Sequence, residues 1–151
     1  MPSIRFTWSD AWLLLSIIHG AQGNRGAGLK DVIAMGDAIN KAIFTPQELR
    51  RGLAKLTKAG YVTETAARYF STDLAMHKYK PVSQRRVLDQ LEGLKVAIGA
   101  GSYSPGEDPC REDPEWPYPQ LTDETIAAAD AEYRVEFAEI LRQLEEKDAG
   151  A

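Results

Sequence analysis

Gln47, Arg50, Arg51, Lys55 and Lys58 are hydrogen-bonding or cationic side chains gathered in one short segment. Their chemistry is ion pairing and hydrogen bonding to an anionic partner, with no bond-making group among them. At about 100° per residue, Gln47, Arg51, Lys55 and Lys58 share one side of a helix and Leu49, Gly52, Leu53 and Leu56 the other. A helix with one apolar and one basic face suits double-stranded DNA: Gln47, Arg50 and Arg51 approach bases or phosphates, and Lys55 and Lys58 contact the backbone. The same row also describes an ordinary solvated helix face.

The remaining reactive side chains give no catalytic constellation. His19 ends an apolar stretch, His77 lies between Met76 and Lys78, and the single cysteine, Cys110, sits between Pro109 and Arg111. Two histidines without a paired carboxylate motif argue against a metal site, and one cysteine rules out an intramolecular disulfide framework. No nucleophile elbow, phosphate-binding loop or dinucleotide fingerprint occurs. The expectation is a protein without enzymatic activity, cofactor or metal.

The elements that must position the basic row are marked by strong local signals. Thr45-Pro46-Gln47-Glu48 is a capping box with proline at the first helical position, and Gly60 is placed to close the helix that follows. Tyr61-Val62-Thr63-Glu64 and Arg68-Tyr69-Phe70-Ser71 are β-favouring runs joined by a turn at Thr65-Ala66-Ala67, which predicts a hairpin. Upstream, a helix is expected from a Ser9 cap to His19-Gly20. It is apolar nearly all round, through Trp12, Leu13, Leu14, Leu15, Ile17 and Ile18, and therefore central. Gly20 to Gly28 reads as a flexible loop, and Leu29 to about Ile39 as a second helix.

The order helix, helix, turn, capped helix, hairpin resembles the winged helix-turn-helix domains of MarR- and PadR-like bacterial transcription regulators over about Ser9 to Ser71. The segment Leu49-x-x-x-Leu53-x-x-Leu56-x-x-x-Gly60-Tyr61-Val62 is similar to their recognition helix and first wing strand. The resemblance implies a mainly α protein with a small β-hairpin (α+β), DNA binding, and a wing whose only basic residue near the tip is Arg68. Winged helices also serve as protein-interaction modules, so a protein partner is the alternative to DNA.

Beyond the hairpin, a short helix through about Tyr79 and another from Gln84 to Ile98 complete a first unit, residues 1–98. The second of these carries the stripe Val87, Leu88, Leu91, Leu94 and Ile98. Residues 99–121 form a Pro/Gly-rich acidic linker, with Trp116 and Tyr118 able to pin it to a surface. Residues 122–151 form an amphipathic helix in which Ile126, Tyr133, Phe137, Ile140 and Leu144 recur in steps of three and four, interrupted by Asp130. That stripe predicts a homodimer, or a helix folded back on the first unit.

Composition agrees with a globular protein of 151 residues, 44% hydrophobic and 26% charged. The net charge of −4 hides a division. Residues 1–95 hold 14 Lys and Arg against 8 Asp and Glu, and residues 96–151 hold 4 against 14. The local sign matters more than the total for phosphate binding. The apolar run Ala11 to Ile18 is too short to span a bilayer and lacks a signal-peptide layout, so a cytoplasmic protein without membrane contact is expected.

Overall fold

The structure is a computed structural model describing residues 4–21, 25–101 and 118–149. Its elements run α1 (Trp8–Gly20), β1 (Ala27–Gly28), α2 (Leu29–Asn40), α3 (Pro46–Lys58), β2 (Val62–Thr65), β3 (Arg68–Ser71), α4 (Asp73–Tyr79), a 3₁₀ turn (Lys80–Val82), α5 (Val87–Ile98) and α6 (Asp123–Ala149). The chain is therefore mainly helical with one small antiparallel sheet, an α+β arrangement.

α1 is the central element. Leu13, Leu14, Leu15 and Ile17 are fully buried, as an all-round apolar helix requires, and α2, α3 and α5 each pack against it. Its cap is Thr7 rather than Ser9: the Asp10 carboxylate, three residues on, accepts from the Thr7 backbone N–H at 2.7 Å. Two glycines allow the neighbouring helices to close on it. A Cβ on Gly52 of α3 would lie 2.5 Å from Leu13 Cδ2, and one on Gly36 of α2 would lie 2.3 Å from the Phe44 ring. Phe44 stacks on Trp12 with ring centroids 3.7 Å apart, and Trp12 Nε1 donates to the Gly36 carbonyl at 3.0 Å.

The expected hairpin forms, with Val62 opposite Ser71 and Thr65, expected in the turn, paired as a strand residue opposite Arg68. Its turn residues Ala66 and Ala67 both have positive φ, 51° and 62°. The loop expected across Gly20 to Gly28 is only part loop. Ala27 and Gly28 pair with Tyr69 and Arg68, so β3 is the centre of a three-stranded sheet, order β1-β3-β2. Neither residue favours strands; the pairing arises because the chain between α1 and α2 must pass the open edge of β3.

α5 begins at Val87, three residues later than the Gln84 start expected from a Ser83 cap. Val87 and Leu88, expected in its buried stripe, are exposed, whereas Leu91, Leu94 and Ile98 are buried. Gln90 takes the inward place. It donates to the Ser83 and Arg85 carbonyls at 3.2 and 2.8 Å and accepts from the Tyr79 hydroxyl at 3.2 Å, with His19 Nε2 2.7 Å from its carbonyl oxygen.

The C-terminal segment returns to the same core. Tyr118, Leu121 and Ile126 are buried in it, and α6 runs against α2. No helix among the described residues is long and apolar enough to cross a membrane.

Candidate functional site

α3 is built as its local signals dictate. The Thr45 hydroxyl accepts from Glu48 N at 3.1 Å, Glu48 Oε1 accepts from Thr45 N at 2.9 Å, and Gly60 takes a φ of 84° just past the C-terminus. Leu49, Gly52, Leu53 and Leu56 face the core. The basic face is another matter.

Lys55 is not a surface cation. Its side chain is 0% exposed, its Nζ lies 2.5 Å from Asp10 Oδ2 and it donates to the Arg5 carbonyl at 3.2 Å. α1 passes so close at Gly52 that the next turn of α3 falls beneath the segment leading into α1, and the wheel position that looks outward on an isolated helix is covered. A backbone contact from Lys55 to DNA is therefore excluded in this structure. Burial pushes the Asp10 carboxyl above its ordinary value, against the opposing pull of the Lys55 charge. Such a pair is strongly destabilising to break, because the survivor is left charged and dry.

The other cations expected at a DNA interface are partly committed to the protein itself. Arg50 pairs with Asp123 at the start of α6. Arg51 is half-buried, and its Nη1 is buried without a hydrogen-bond partner. Arg68 turns back from the hairpin: its Nε donates to the Arg25 carbonyl at 2.7 Å and its Nη2 to the Gly26 carbonyl at 2.8 Å. These contacts brace the approach to β1, so the one basic residue near the hairpin turn holds the sheet together. Gln47 and Lys58 are the exposed members of the set. The six residues therefore do not converge as one cationic surface.

The predicted dimerisation stripe also divides in two. Ile126 is buried in the chain's own core, and the Tyr133 hydroxyl donates to Asp37 Oδ2 of α2 at 2.7 Å. Burial and the Asp37 carboxylate raise the Tyr133 phenol to about 12. Lys30 of α2 pairs with Glu136 at 2.7 Å and lies 3.7 Å from Glu132. Ile126 and Tyr133 thus follow the fold-back alternative and serve a contact within the chain. Past this point the stripe continues into solvent: Phe137, Ile140, Leu141 and Leu144 are 47%, 54%, 45% and 54% exposed. The opposite face of that segment is polar and self-paired, with Arg142 bridging Glu139 at 2.6 Å and also contacting Glu146.

Tyr118, expected to anchor the linker, is buried and bonds to a partner on the sheet that nothing near it in sequence announces. Its hydroxyl donates to Glu64 Oε2 on β2, beside Tyr69 of β3. Burial and Glu64 raise the Tyr118 phenol well above its ordinary value and that of Tyr69 to about 12. This phenol–carboxylate cluster ties the chain entering α6 to the β2–β3 hairpin. Trp116, the other expected anchor, and Cys110 lie outside the described residues.

Comparison with protein-family models, with curated protein sequences and with solved structures returns no match for this chain.

Proposed function

We propose that the chain is a winged-helix protein-interaction module in which α3 is a structural helix. The winged-helix reading is supported by the order of two helices, the capped helix α3 and the β2–β3 hairpin, the order for which the resemblance to MarR- and PadR-like domains was drawn. The observation that carries the functional reading is the burial of Lys55 on Asp10. It removes the middle of the basic row, while Arg50 and Arg68 are held by Asp123 and by backbone carbonyls.

A second reading, a DNA-binding transcription regulator, is favoured by the exposure of Gln47 at the start of α3 and Lys58 at its end. Retention on random duplex DNA at low and at moderate salt separates the two. The module passes through at both; salt-dependent retention that weakens in Gln47→Ala/Lys58→Ala establishes the DNA reader instead.

A further inference from the structure

We infer that the cavity where α1 ends, α2 begins and β3 starts is a binding site for a small aliphatic α-amino acid. Its volume is about 290 Å³. The walls divide by chemistry: Arg25 and Arg68 bring two guanidinium groups, Asp31 one carboxylate, and Gly20, Ala34 and Met35 an apolar surface. Nothing in the two readings of α3 draws on these side chains, apart from the bracing of β1 by Arg68.

The polar groups are fixed by the protein and still have bonding capacity left. Arg68 gives Nε and Nη2 to the Arg25 and Gly26 carbonyls, which sets the plane of its guanidinium without neutralising the charge. Asp31 Oδ2 lies 3.7 Å from Nη2, beyond hydrogen-bond length, and Nη1 makes no hydrogen bond among the described residues. Asp31 is held in turn. Its Oδ2 accepts from the Gly28 backbone N–H at 3.0 Å, and its Oδ1 is left open. The Arg25 guanidinium has no partner among the described residues. Bracing β1 therefore accounts for two nitrogens of Arg68 and capping α2 for one oxygen of Asp31, while the side chains that carry the remaining donors and acceptor line one cavity.

That mixture selects the ligand. Guanidinium groups call for a carboxylate, which a fork of N–H donors grips at both oxygens. A phosphate or a dicarboxylate is disfavoured, because Asp31 would stand beside a further negative charge. An ammonium answers Asp31 instead. The protein's own opposite charges sit side by side, 3.7 Å apart, and an α-amino acid carries its carboxylate and ammonium on adjacent carbons, so the two pairs meet head to tail. Ala34 and Met35 follow Asp31 on the same face of α2, one turn along, and receive an aliphatic side chain. Gly20 keeps that space free, since a Cβ there would lie 3.6 Å from Met35 Cγ.

Titration of the isotope-labelled full chain with L-leucine and with L-methionine, followed by amide NMR shifts, tests the site. Saturable shifts at Gly20, Gly26, Asp31 and Met35 are expected with at least one of them, with a Kd on the order of 100 μM. Arg25→Ala weakens binding at least ~10-fold by removing a charged donor. Ala34→Phe fills the cavity from a partly exposed position and abolishes it. Neither native side chain is in the core, and the thermal midpoint of each variant checks that the fold is kept. Asp31→Asn separates recognition from support, because its amide oxygen still accepts the Gly28 N–H while the charge is gone. It lowers affinity for L-leucine about fivefold and raises affinity for isocaproate, the same molecule without its amine. A purely structural Asp31 would move neither. Absence of shifts with both amino acids up to about 10 mM, equal binding of L-leucine and isocaproate, indifference to Arg25→Ala, or tighter binding of inorganic phosphate overturns the inference.

Discussion

α3 and the distal half of α6 are opposites. On α3 a charged side chain lies in the core: Lys55 is wholly buried on Asp10. On distal α6 large apolar side chains lie in water, Phe137 and Ile140 each about half exposed. Both helices carry an amphipathic pattern, yet at Lys55 and along Phe137 to Leu144 the pattern alone does not say what touches solvent. A helical wheel divides a helix into faces but does not count the neighbours around it. α3 has a covering layer on its polar side because α1 and the segment before it close in at Gly52. α6 lacks one on its apolar side because it is longer than the α2 it lies against.

The comparison can be broken most forcefully at Lys55. Lys55→Ala leaves Asp10 charged and buried, and a loss of about 3–5 kcal/mol is expected, read by chemical denaturation. Replacing both partners, Asp10→Leu with Lys55→Met, recovers part of that loss by removing the unpaired buried charge, but not the Thr7 N–H bond that Asp10 accepts at the cap of α1. If Lys55→Ala were silent, α3 would present its lysine to solvent and the contrast with α6 would disappear.

A smaller effect sharpens the point at which α6 leaves the core. A phenol ionises near 10 in an unfolded chain, and the fold raises that of Tyr69 to about 12 and that of Tyr118 further. A raised folded value means the stabilisation is complete below pH 10 and is lost as pH climbs through 12. The thermal midpoint should therefore fall steeply across that window. Tyr118→Phe lowers the midpoint at neutral pH by removing the bond to Glu64 and makes the alkaline decline shallower. An unchanged slope would show that the cluster with Glu64 does not anchor the entry to α6.

The smallest expected effect is on distal α6 itself. Ile140→Asp should shift stability by no more than about 0.5 kcal/mol, the range of an ordinary surface change. A helix that loses as much there as α3 loses at Lys55 would have to be packed against its own domain along its whole length.

The parts of the fold legible in the sequence are those whose causes are local. Thr45 and Glu48 satisfy each other within one turn, Gly60 closes the helix they open, and the hairpin strands alternate over a short span; such signals survive without knowledge of the rest of the chain. The Asp10–Lys55 pair joins residues far apart in sequence, and nothing near either announces the other. β1 was hidden for a related reason, as Ala27 and Gly28 become a strand only because β3 offers an unpaired edge beside them. Gln90 gave a polar signal in an apolar stripe, and that could have been heeded: a glutamine at an inward position implies partners, here His19, Tyr79 and two carbonyls. Of the candidate site, the sequence conveyed which residues were basic but not which of them the protein would use for itself.

The Ala66-Ala67 turn carries a consequence for what holds the hairpin. Left-handed backbone at two alanines costs roughly 1–2 kcal/mol each, where Asn-Gly would cost far less, so the turn resists the hairpin it closes. The hairpin therefore depends on contacts outside itself, Arg68 holding the Arg25 and Gly26 carbonyls on one side and Tyr118 gripping Glu64 on the other.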